Sequence, residues 1–332
     1  MKKVVWGVVV IIILILIVVA VSGDEKEGGP IKIGVLAPLT GDFAFVGEDL
    51  RGGIMNAGVS KEDVEFIFED SACDNQATLS AYQKLNDIDK VKFIIGPGCG
   101  ASQEIVATRV ADDGKVVLLP SAAARSLYID SGENLFNAQY SLEDESKFIA
   151  DKFNNLGYEK VVLVTYNNPF STVHSKSFKE NYKGEIVAEL MYSNDTTDLS
   201  TELLKLNGKG FDAVYSPDLT FFFTQGKSKL AQLGHNQPIF SVYTAELPAV
   251  RELMEGVTYA FPGDIDGGNG AFYELAKLST EILSESAINC DGDYQCVKDE
   301  LKESGVFDEF GVRKQSIILK KIVDGEAVMF EN

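Results

Sequence analysis

The chain has 332 residues, of which 45% are hydrophobic and 24% are charged, and its 30 basic and 50 acidic residues give a net charge of −20 at pH 7. A globular chain of this length usually divides into two domains. So much negative charge repels phosphate backbones and anionic lipids, which argues against nucleic acid as a partner.

Residues 1–30 differ from the rest of the chain. Lys2 and Lys3 precede an uncharged apolar run of 18 residues over 4–21, and a polar tether over 23–30 follows it. Basic residues before an apolar run are typical of an export signal. The run is also just long enough to span a bilayer. We therefore predict a signal peptide or an N-terminal membrane anchor, with the remaining chain outside the cytoplasm.

The four cysteines fit an extracytoplasmic location, where disulfides persist. Cys290 and Cys296 are close in sequence and are predicted to form a local disulfide. Cys73 and Cys99 are then left to pair with each other. Two free thiols are the alternative for this second pair.

Apolar runs of strand length alternate with helix-like stretches in the first part of the chain. Strands are predicted over 31–39, 64–70, 91–97 and 115–121, and helices over 77–85 and 102–110. Ser102 is the predicted N-cap of the second of these helices. This alternation predicts βαβ units and a buried parallel sheet.

The same alternation repeats from Ser141 onward. Helices are predicted over 141–157, 171–184, 199–210, 221–233 and 248–256, and strands over 160–166, 185–193, 211–217, 237–243 and 257–263. A long amphipathic helix over 271–284 and a final strand and turn over 317–328 remain. The predicted fold class is therefore α/β, with two successive doubly wound parallel-sheet units.

The carboxyl ends of the first four strands are rich in small residues, as in "GPGCGAS" and "PSAAARS". Ligands of open parallel sheets bind at this end, and small residues allow a close approach to the backbone. On this ground Ser121 and Ala122 are predicted to line a ligand site. A strand order of 2-1-3 would bring the loops of Cys73 and Cys99 together. A bond across this span of 26 residues would contribute roughly 3.5 kcal/mol.

Several stretches together resemble one family. The opening "IKIGVLAPLTGDFAFVGEDLRGGI", with "EDSACDNQAT", "FIIGPGCGAS" and "VVLLPSAAA", is similar to the leucine/isoleucine/valine-binding proteins. These are type I periplasmic solute-binding proteins of ABC transporters. The resemblance continues through "KVVLVTYNNPFS" and "GVFDEFGVRKQSIILKKIVDG", from Ile31 to about Gly325. The paired Cys73 and Cys99 match a disulfide of that family.

The resemblance implies a two-lobed clamp of the Venus flytrap type, joined by a three-crossover hinge, which closes on a ligand. Lobe I would comprise residues 31–140 with 262–306, and lobe II residues 141–261 with 307–332. The implied partners are a small-molecule ligand and an ABC permease, and the implied protein is a monomer without enzyme activity, cofactor or metal. A ligand-binding sensor of the same fold is the alternative. We expect transport, because the chain ends at Asn332 without a second membrane span.

The resemblance also places candidate ligand contacts. In amino-acid-binding members, hydroxyl groups after the third and fourth strands hold the α-carboxylate, and the matching positions here are Gly100 and Ala123. The acid that binds the α-amino group falls near Tyr243. Because these polar anchors are absent, we expect a carboxylate to be held by backbone N–H groups in the loop of Gly98, Gly100 and Ala101 and at Ala123.

Aromatic residues are expected to supply other contacts. The family's aromatic position after the opening motif falls at Val46, with Phe43 and Phe45 beside it, and Phe170 matches an aromatic cleft position in lobe II. Core packing is the alternative for Phe170. The pattern predicts an amino acid or related small molecule that is less zwitterionic, such as an apolar or aromatic carboxylate or amide.

The remaining charged and titratable candidates are few. Asp218 and Glu246 are candidate partners for a ligand ammonium group, although solvated loop acids are the favoured interpretation. His174 and His235 are the two histidines, and both are predicted at the surface. The sequence contains no Gly-x-Ser-x-Gly, Walker or metal-spaced His/Cys motif, which argues against an enzyme.

Overall fold

The computed structural model describes residues 29–193, 195–218, 221–266 and 268–330. The predicted signal or anchor segment falls in residues 1–28, outside the described residues. Within the described ranges, no helix has both the length and the hydropathy that a membrane crossing requires.

The first sheet has five parallel strands in the order β2-β1-β3-β4-β5. They are β1 (Ile31–Ala37), β2 (Val64–Asp70), β3 (Phe93–Ile95), β4 (Val116–Leu119) and β5 (Leu135–Asn137). The first three strands have the 2-1-3 order that brings the loops of Cys73 and Cys99 together. Strand β5, with three residues, was not predicted. The helices between these strands are α1 (Ala44–Met55), α2 (Asn75–Gln83), α3 (Gly100–Ala107) and α4 (Arg125–Asp130), with a π-helical turn (Lys84–Ile88) after α2.

The second sheet has seven strands in the order β12-β11-β10-β9-β8-β6-β7. They are β6 (Lys160–Tyr166), β7 (Glu185–Tyr192), β8 (Ala213–Tyr215), β9 (Ile239–Ser241), β10 (Thr258–Pro262), β11 (Ile317–Val323) and β12 (Glu326–Met329). Strands β6 to β10 are parallel, and β11 and β12 add an antiparallel edge.

The helices of the second sheet are α5 (Leu142–Leu156), α6 (Pro169–Asn181), α7 (Ser200–Leu204) and α8 (Lys227–Gln232). A π-helical turn (Phe222–Gly226) precedes α8, and two 3-10 turns (Tyr243–Glu246 and Arg251–Met254) follow β9. The helix predicted over 248–256 is thus only a 3-10 turn, and the one predicted over 199–210 is a single five-residue helix.

Two helices that lie between β10 and β11 in sequence pack on the first sheet. Helix α9 (Ala271–Asn289) packs against α1, and the Cys290–Cys296 disulfide connects it to α10 (Tyr294–Glu303). The two long helices approach so closely that a Cβ atom at Gly53 would lie 2.1 Å from the Tyr273 carbonyl oxygen. We therefore call the first sheet with α1–α4, α9 and α10 lobe I, and the second sheet with α5–α8 lobe II. The predicted residue boundaries between them stay predictions.

Local sequence predicted the caps of α5 correctly but not the N-cap of α3. The Ser141 hydroxyl oxygen accepts from the Asp144 N–H at 3.1 Å, and Gly157 ends α5 with a φ of 75°. Both ends agree with the predicted capping. The predicted N-cap at Ser102 is wrong, because α3 begins at Gly100 and Cys99 is its cap. The Ser102 side chain is instead buried, 2.7 Å from the Thr78 hydroxyl of α2.

The described chain crosses between the lobes after β5, between β10 and α9, and between α10 and β11. Arg313, on the third crossing, connects all of them. Its Nε donates to the Ala138 carbonyl on the first crossing at 2.7 Å. Its two terminal nitrogens donate to the Asp264 carboxylate on the second crossing at 2.6 and 3.1 Å. A bidentate, largely buried guanidinium of this kind fixes geometry as well as adding energy.

Candidate functional site

Loops that follow the strands of both sheets meet between the lobes. Helix α3, which follows β3, packs against α6, which follows β6. The Tyr243 hydroxyl, after β9, lies close to the backbone of Ala122, after β4. Ligands of open α/β sheets bind beyond the carboxyl ends of the strands. The candidate site is therefore the cleft between the two lobes.

The loop of Gly98, Gly100 and Ala101 lies half-buried at this cleft. A Cβ atom at Gly100 would meet no atom within 4 Å, so the backbone borders open space there. A Cβ atom at Gly98 would lie 3.0 Å from Leu50 Cδ1, so this glycine is required for packing. The first N–H groups of α3 have no partner within the helix. The loop thus offers backbone donors at the positive end of a helix dipole.

A covalent bond and a buried side chain hold this loop in place. Cys73 and Cys99 form a disulfide with a Cα–Cα distance of 5.6 Å, which confirms the predicted pairing. The buried Ser121 hydroxyl donates to the Gly98 carbonyl at 3.2 Å and accepts from Gln103 Nε2 at 3.0 Å. The Ser121 side chain therefore fixes the loop, and Ser121 stays a proposed ligand residue.

The other small residues of lobe I at the cleft are Ala122 and Ala123, both buried, with Ala123 fully inaccessible. The Ala123 carbonyl accepts from the Leu142 N–H at the start of α5, across the first crossing, at 3.2 Å. These alanines therefore pack closely against lobe II. Substituting a larger side chain here would push the two lobes apart.

The aromatic candidates of lobe I lie around the start of α1. Phe43 and Phe45 are half-buried, and their ring centroids are 6.3 Å apart. Val46 is 3% exposed and belongs to the hydrophobic core. The two phenylalanine rings are thus the accessible part of this stretch, whereas the Val46 side chain is enclosed by protein.

In lobe II, Phe170 is half-buried and its ring contacts that of His174 edge-on, with a centroid distance of 4.7 Å. The predicted surface location of His174 is wrong, since its side chain has no exposed area. Helical spacing explains its burial, because His174 and the buried Phe178 lie four residues apart on one face of α6. His235 is only half-buried and stacks on Phe211, 4.9 Å between centroids.

Asp218 lies beside an aromatic stack at the carboxyl ends of β6, β7 and β8. The Tyr192 ring lies 5.2 Å from Tyr166 and 5.2 Å from Phe221. Its hydroxyl donates to the Asp218 carboxylate, which also accepts from the Phe222 N–H at 2.9 Å. Burial and the neighbouring carboxylate raise the pKa of Tyr192 well above its usual range. The interpretation of Asp218 as a solvated acid is wrong, because the side chain is 3% exposed.

Glu246 is also not a solvated acid, since it has no exposed area. Its carboxylate accepts from the Tyr259 hydroxyl at 2.6 Å and forms an ion pair with Lys320 at 2.8 Å. Both candidate partners for a ligand ammonium are therefore already engaged with protein groups.

Tyr243 connects the cleft to a buried polar cluster that the sequence reasoning missed. Its N–H donates to Glu145 Oε1 at 2.8 Å, and the same oxygen accepts from the Tyr140 hydroxyl at 3.0 Å. Glu145 Oε2 lies 3.5 Å from His174 Nε2. The spacing of Leu142, Glu145, Ile149 and Phe153 on the buried face of α5 was the available signal.

One group of residues in lobe I has the spacing of a metal site, namely Cys290, Cys296 and Glu300. Both sulfur atoms are bonded to each other in the disulfide. A disulfide sulfur is not a thiolate ligand, so this group has no metal-binding donor set.

Two α/β lobes, three chain crossings and a cleft at the strand ends define a bilobal ligand-binding protein of the type I periplasmic class. The sequence pattern of the family described as periplasmic binding protein matches residues 30–274. The chain belongs to this family.

The relatives are distant. Leu/Ile/Val-binding protein homolog 3 of Brucella melitensis is 25% identical over 197 residues, or 56% of this chain and 53% of that protein. The leucine-, isoleucine-, valine-, threonine-, and alanine-binding protein of Pseudomonas aeruginosa is 26% identical over 219 residues, or 59% and 57%. The match thus spans about half the length of these curated relatives.

Solved structures share the fold over most of the chain. The branched-chain amino acid transporter substrate binding protein LivJ of Streptococcus pneumoniae, in complex with isoleucine, has a TM-score of 0.78 at 22% identity, covering 90% of this chain and 97% of that one. An ABC transporter solute binding protein of R. palustris, in complex with benzoate, has a TM-score of 0.78 at 16% identity, covering 91% and 96%. At such identities the likeness concerns the fold alone.

Proposed function

We propose that this protein is an extracytoplasmic solute-binding protein that captures a small molecule between its lobes and delivers it to an ABC permease. The observation that carries the proposal is the pairing of a bare backbone loop on lobe I with an aromatic wall on lobe II across one cleft. Membership of the periplasmic binding protein family and the names of the relatives support the same function.

We infer that the ligand carries a carboxylate or amide that is bound by backbone N–H groups. The start of α3 supplies donors without side-chain hydroxyls at Gly100 and Ala101. Such donors at a helix N-terminus favour an anionic or carbonyl oxygen. Phe43 and Phe170, both half-buried, are proposed to contact the body of the ligand. Ser121, Ala122, Ala123 and Tyr243 complete the proposed site near the hinge.

We further infer that an α-amino group is not the main recognition element. The position expected to carry its acidic partner is Tyr243, and Asp218 is engaged by Tyr192 and the Phe222 N–H. An ammonium group in the cleft would lack a dedicated carboxylate, and an unpaired buried charge is costly. An apolar or aromatic carboxylate or amide meets the described groups better.

The experiment is a thermal-shift screen of the protein from residue 29 onward against branched-chain amino acids, benzoates, aromatic acids and amides, followed by calorimetry of the hits. We expect an aromatic or apolar acid to bind more tightly than leucine. Each missing hydrogen bond to a charged group is worth about 1.5–3 kcal/mol, so the two absent hydroxyls predict leucine binding roughly 10²-fold or more below that of a hydroxyl-bearing relative. Submicromolar leucine affinity would contradict this ligand class.

Delivery to a permease is tested separately. The test first looks for an ABC permease gene in the host genome, beside this gene. The ATPase rate of that permease, reconstituted in nanodiscs, should rise when the liganded protein is added. Ligand binding without any change in that rate would favour the sensor alternative.

A further inference from the structure

A buried acid and a buried histidine face each other beneath the cleft, and their hydrogen bonds determine where the protons lie. The Ser146 hydroxyl lies 3.0 Å from the Leu142 carbonyl, to which it can donate, and 2.5 Å from His174 Nδ1. When its one hydrogen is donated to the carbonyl, its oxygen accepts from the Nδ1–H of His174, and Nε2 then presents a lone pair.

Among the described residues, His174 Nε2 and Glu145 Oε2 are both buried without a hydrogen-bond partner. The two atoms are 3.5 Å apart, at the outer limit of a hydrogen bond. An ionised Oε2 would set negative charge against a lone pair, whereas a protonated Oε2 supplies the missing donor.

The other carboxyl oxygen supports the same assignment. Glu145 Oε1 accepts two hydrogen bonds, from the Tyr140 hydroxyl and the Tyr243 N–H. This is the expected role of the carbonyl oxygen of a neutral carboxylic acid, with Oε2 as its hydroxyl. The other titratable group that faces Glu145 is the buried Tyr215 hydroxyl, on β8. Among the described residues, the ion-pair contact of Glu145 is with His174 alone.

We propose that Glu145 is a positioning residue of the hinge, which acts as a neutral carboxylic acid and donates its proton from Oε2 to Nε2 of His174. Through Tyr140 it holds the first crossing between the lobes. Through Tyr243 it holds a residue whose hydroxyl meets lobe I at Ala122. Through His174 it supports Phe170, the aromatic side chain at the cleft.

The electrostatics of the pair agree with this assignment. Burial raises the pKa of Glu145 from 4.5 to about 8, even though the bonds from Tyr243 and Tyr140 oppose the shift. Burial alone lowers the pKa of His174 from 6.5 to about 3. Both groups are therefore neutral at pH 7, with one shared hydrogen bond between them.

The first test needs no ligand. The chain has two histidines, so ¹⁵N NMR of the histidine rings gives two sets of signals, and His235→Gln assigns them. We expect His174 to show an unprotonated Nε2 and a protonated Nδ1 from pH 5 to 7. Its Nε2 shift should then change with a midpoint near pH 8, as Glu145 loses its proton. A protonated Nε2, or ordinary titration between pH 6 and 7, would overturn the proposal.

Variants assign the response to Glu145. In Glu145→Gln the amide oxygen still accepts twice and the NH₂ group still donates to His174, so the His174 tautomer should persist while the alkaline change disappears. Asp49→Asn is the matched control, because burial also raises the pKa of Asp49, to about 6, but in α1 of lobe I. It should leave the alkaline response of His174 intact. An unchanged alkaline response in Glu145→Gln would contradict the assignment.

The consequence for binding rests on the proposed function. With a hit from the ligand screen, affinity should fall about ten-fold per pH unit above pH 8 in the parent and stay level in Glu145→Gln. Equal pH profiles for the two proteins would show that Glu145 does not position the site. If the screen finds no ligand, the proposed function fails, but the NMR result still decides whether Glu145 shares its proton with His174.

Discussion

The two walls of the proposed ligand site are built in different ways. On lobe I the proposed wall is backbone, in the loop of Gly98 to Ala101 and at Ala122 and Ala123, and a disulfide and a buried serine hold this loop. On lobe II the proposed wall consists of aromatic side chains, backed by buried acids and a histidine. A backbone wall has few ways to vary its chemistry, whereas the side-chain wall changes with each substitution. We therefore expect lobe I to bind the polar group of the ligand and lobe II to determine which apolar or aromatic part is accepted.

Filling the space beside the backbone wall should have the largest effect. Gly100→Trp should abolish measurable binding of a confirmed ligand and prevent the ligand-induced decrease in radius of gyration seen by X-ray scattering. Its stability should change little, because a side chain at Gly100 points into open space. The matched control is Gly210→Trp, an exposed glycine before β8 whose added Cβ also meets nothing within 4 Å. Parental affinity in Gly100→Trp would show that this loop does not line the cleft.

Releasing the covalent bond of the lobe I wall should have the next largest effect. Cys73→Ala with Cys99→Ala opens a span of 26 residues and should lower the free energy of unfolding by roughly 3.5 kcal/mol. Cys290→Ala with Cys296→Ala opens a span of 6 residues and should cost about 2.4 kcal/mol. Urea denaturation measures both. Only removal of the Cys73–Cys99 disulfide should also weaken ligand binding. Equal losses of affinity in the two double variants would show that this disulfide has no special role at the cleft.

Removing an aromatic side chain from the lobe II wall should change which ligand is preferred. Phe170→Ala should weaken an aromatic ligand by about 10- to 100-fold, in line with the loss of one ring contact of a few kcal/mol at most. It should weaken a small aliphatic acid much less, and calorimetry with both ligands gives the ratio. Similar losses of affinity for the two ligands would mean that the Phe170 ring packs on His174 and does not select between ligands.

The smallest effect is the pH dependence of stability that the buried pair of lobe II contributes. Between pH 4.5 and 6.5 the two groups cancel, since the unfolded chain protonates His174 while the folded chain protonates Glu145. From pH 6.5 to about 8, stability should fall by about 1.4 kcal/mol per unit, because only the folded state keeps the Glu145 proton. Below pH 4.5 it should fall again, because only the unfolded state protonates His174.

Urea denaturation of the parent and of Glu145→Gln between pH 3.5 and 8.5 isolates the contribution of Glu145 to the pH dependence of stability. The parent-minus-variant difference in the free energy of unfolding should fall by about 1.4 kcal/mol per pH unit from pH 4.5 to about 8, because it isolates Glu145, and the loss of stability below pH 4.5 should be the same in both proteins. A difference that does not vary with pH would show that Glu145 is ionised in the folded protein.

The sequence alone determined the alternation of strands and helices, and with it the two sheets. The runs at β2 and β6 match the predicted strands at both ends. Strand β6 lies inside its sheet and is a continuous apolar run, as burial on both faces requires, whereas β2 is a half-buried edge strand. The caps of α5 were also readable, since Ser141 and Gly157 act through local hydrogen bonds and a local φ angle. The pairing of the cysteines was predicted as well, from their spacing and from the family resemblance.

Only the tertiary structure decided which polar side chains are buried and which groups they pair with. Asp218, Glu246 and His174 are buried, and the burial depends on partners distant in sequence, such as Lys320 for Glu246. The proton shared between Glu145 and His174 joins residues on two helices. Local sequence records which residues are polar, but whether a polar group is buried and paired depends on long-range packing, and that packing sets its charge state.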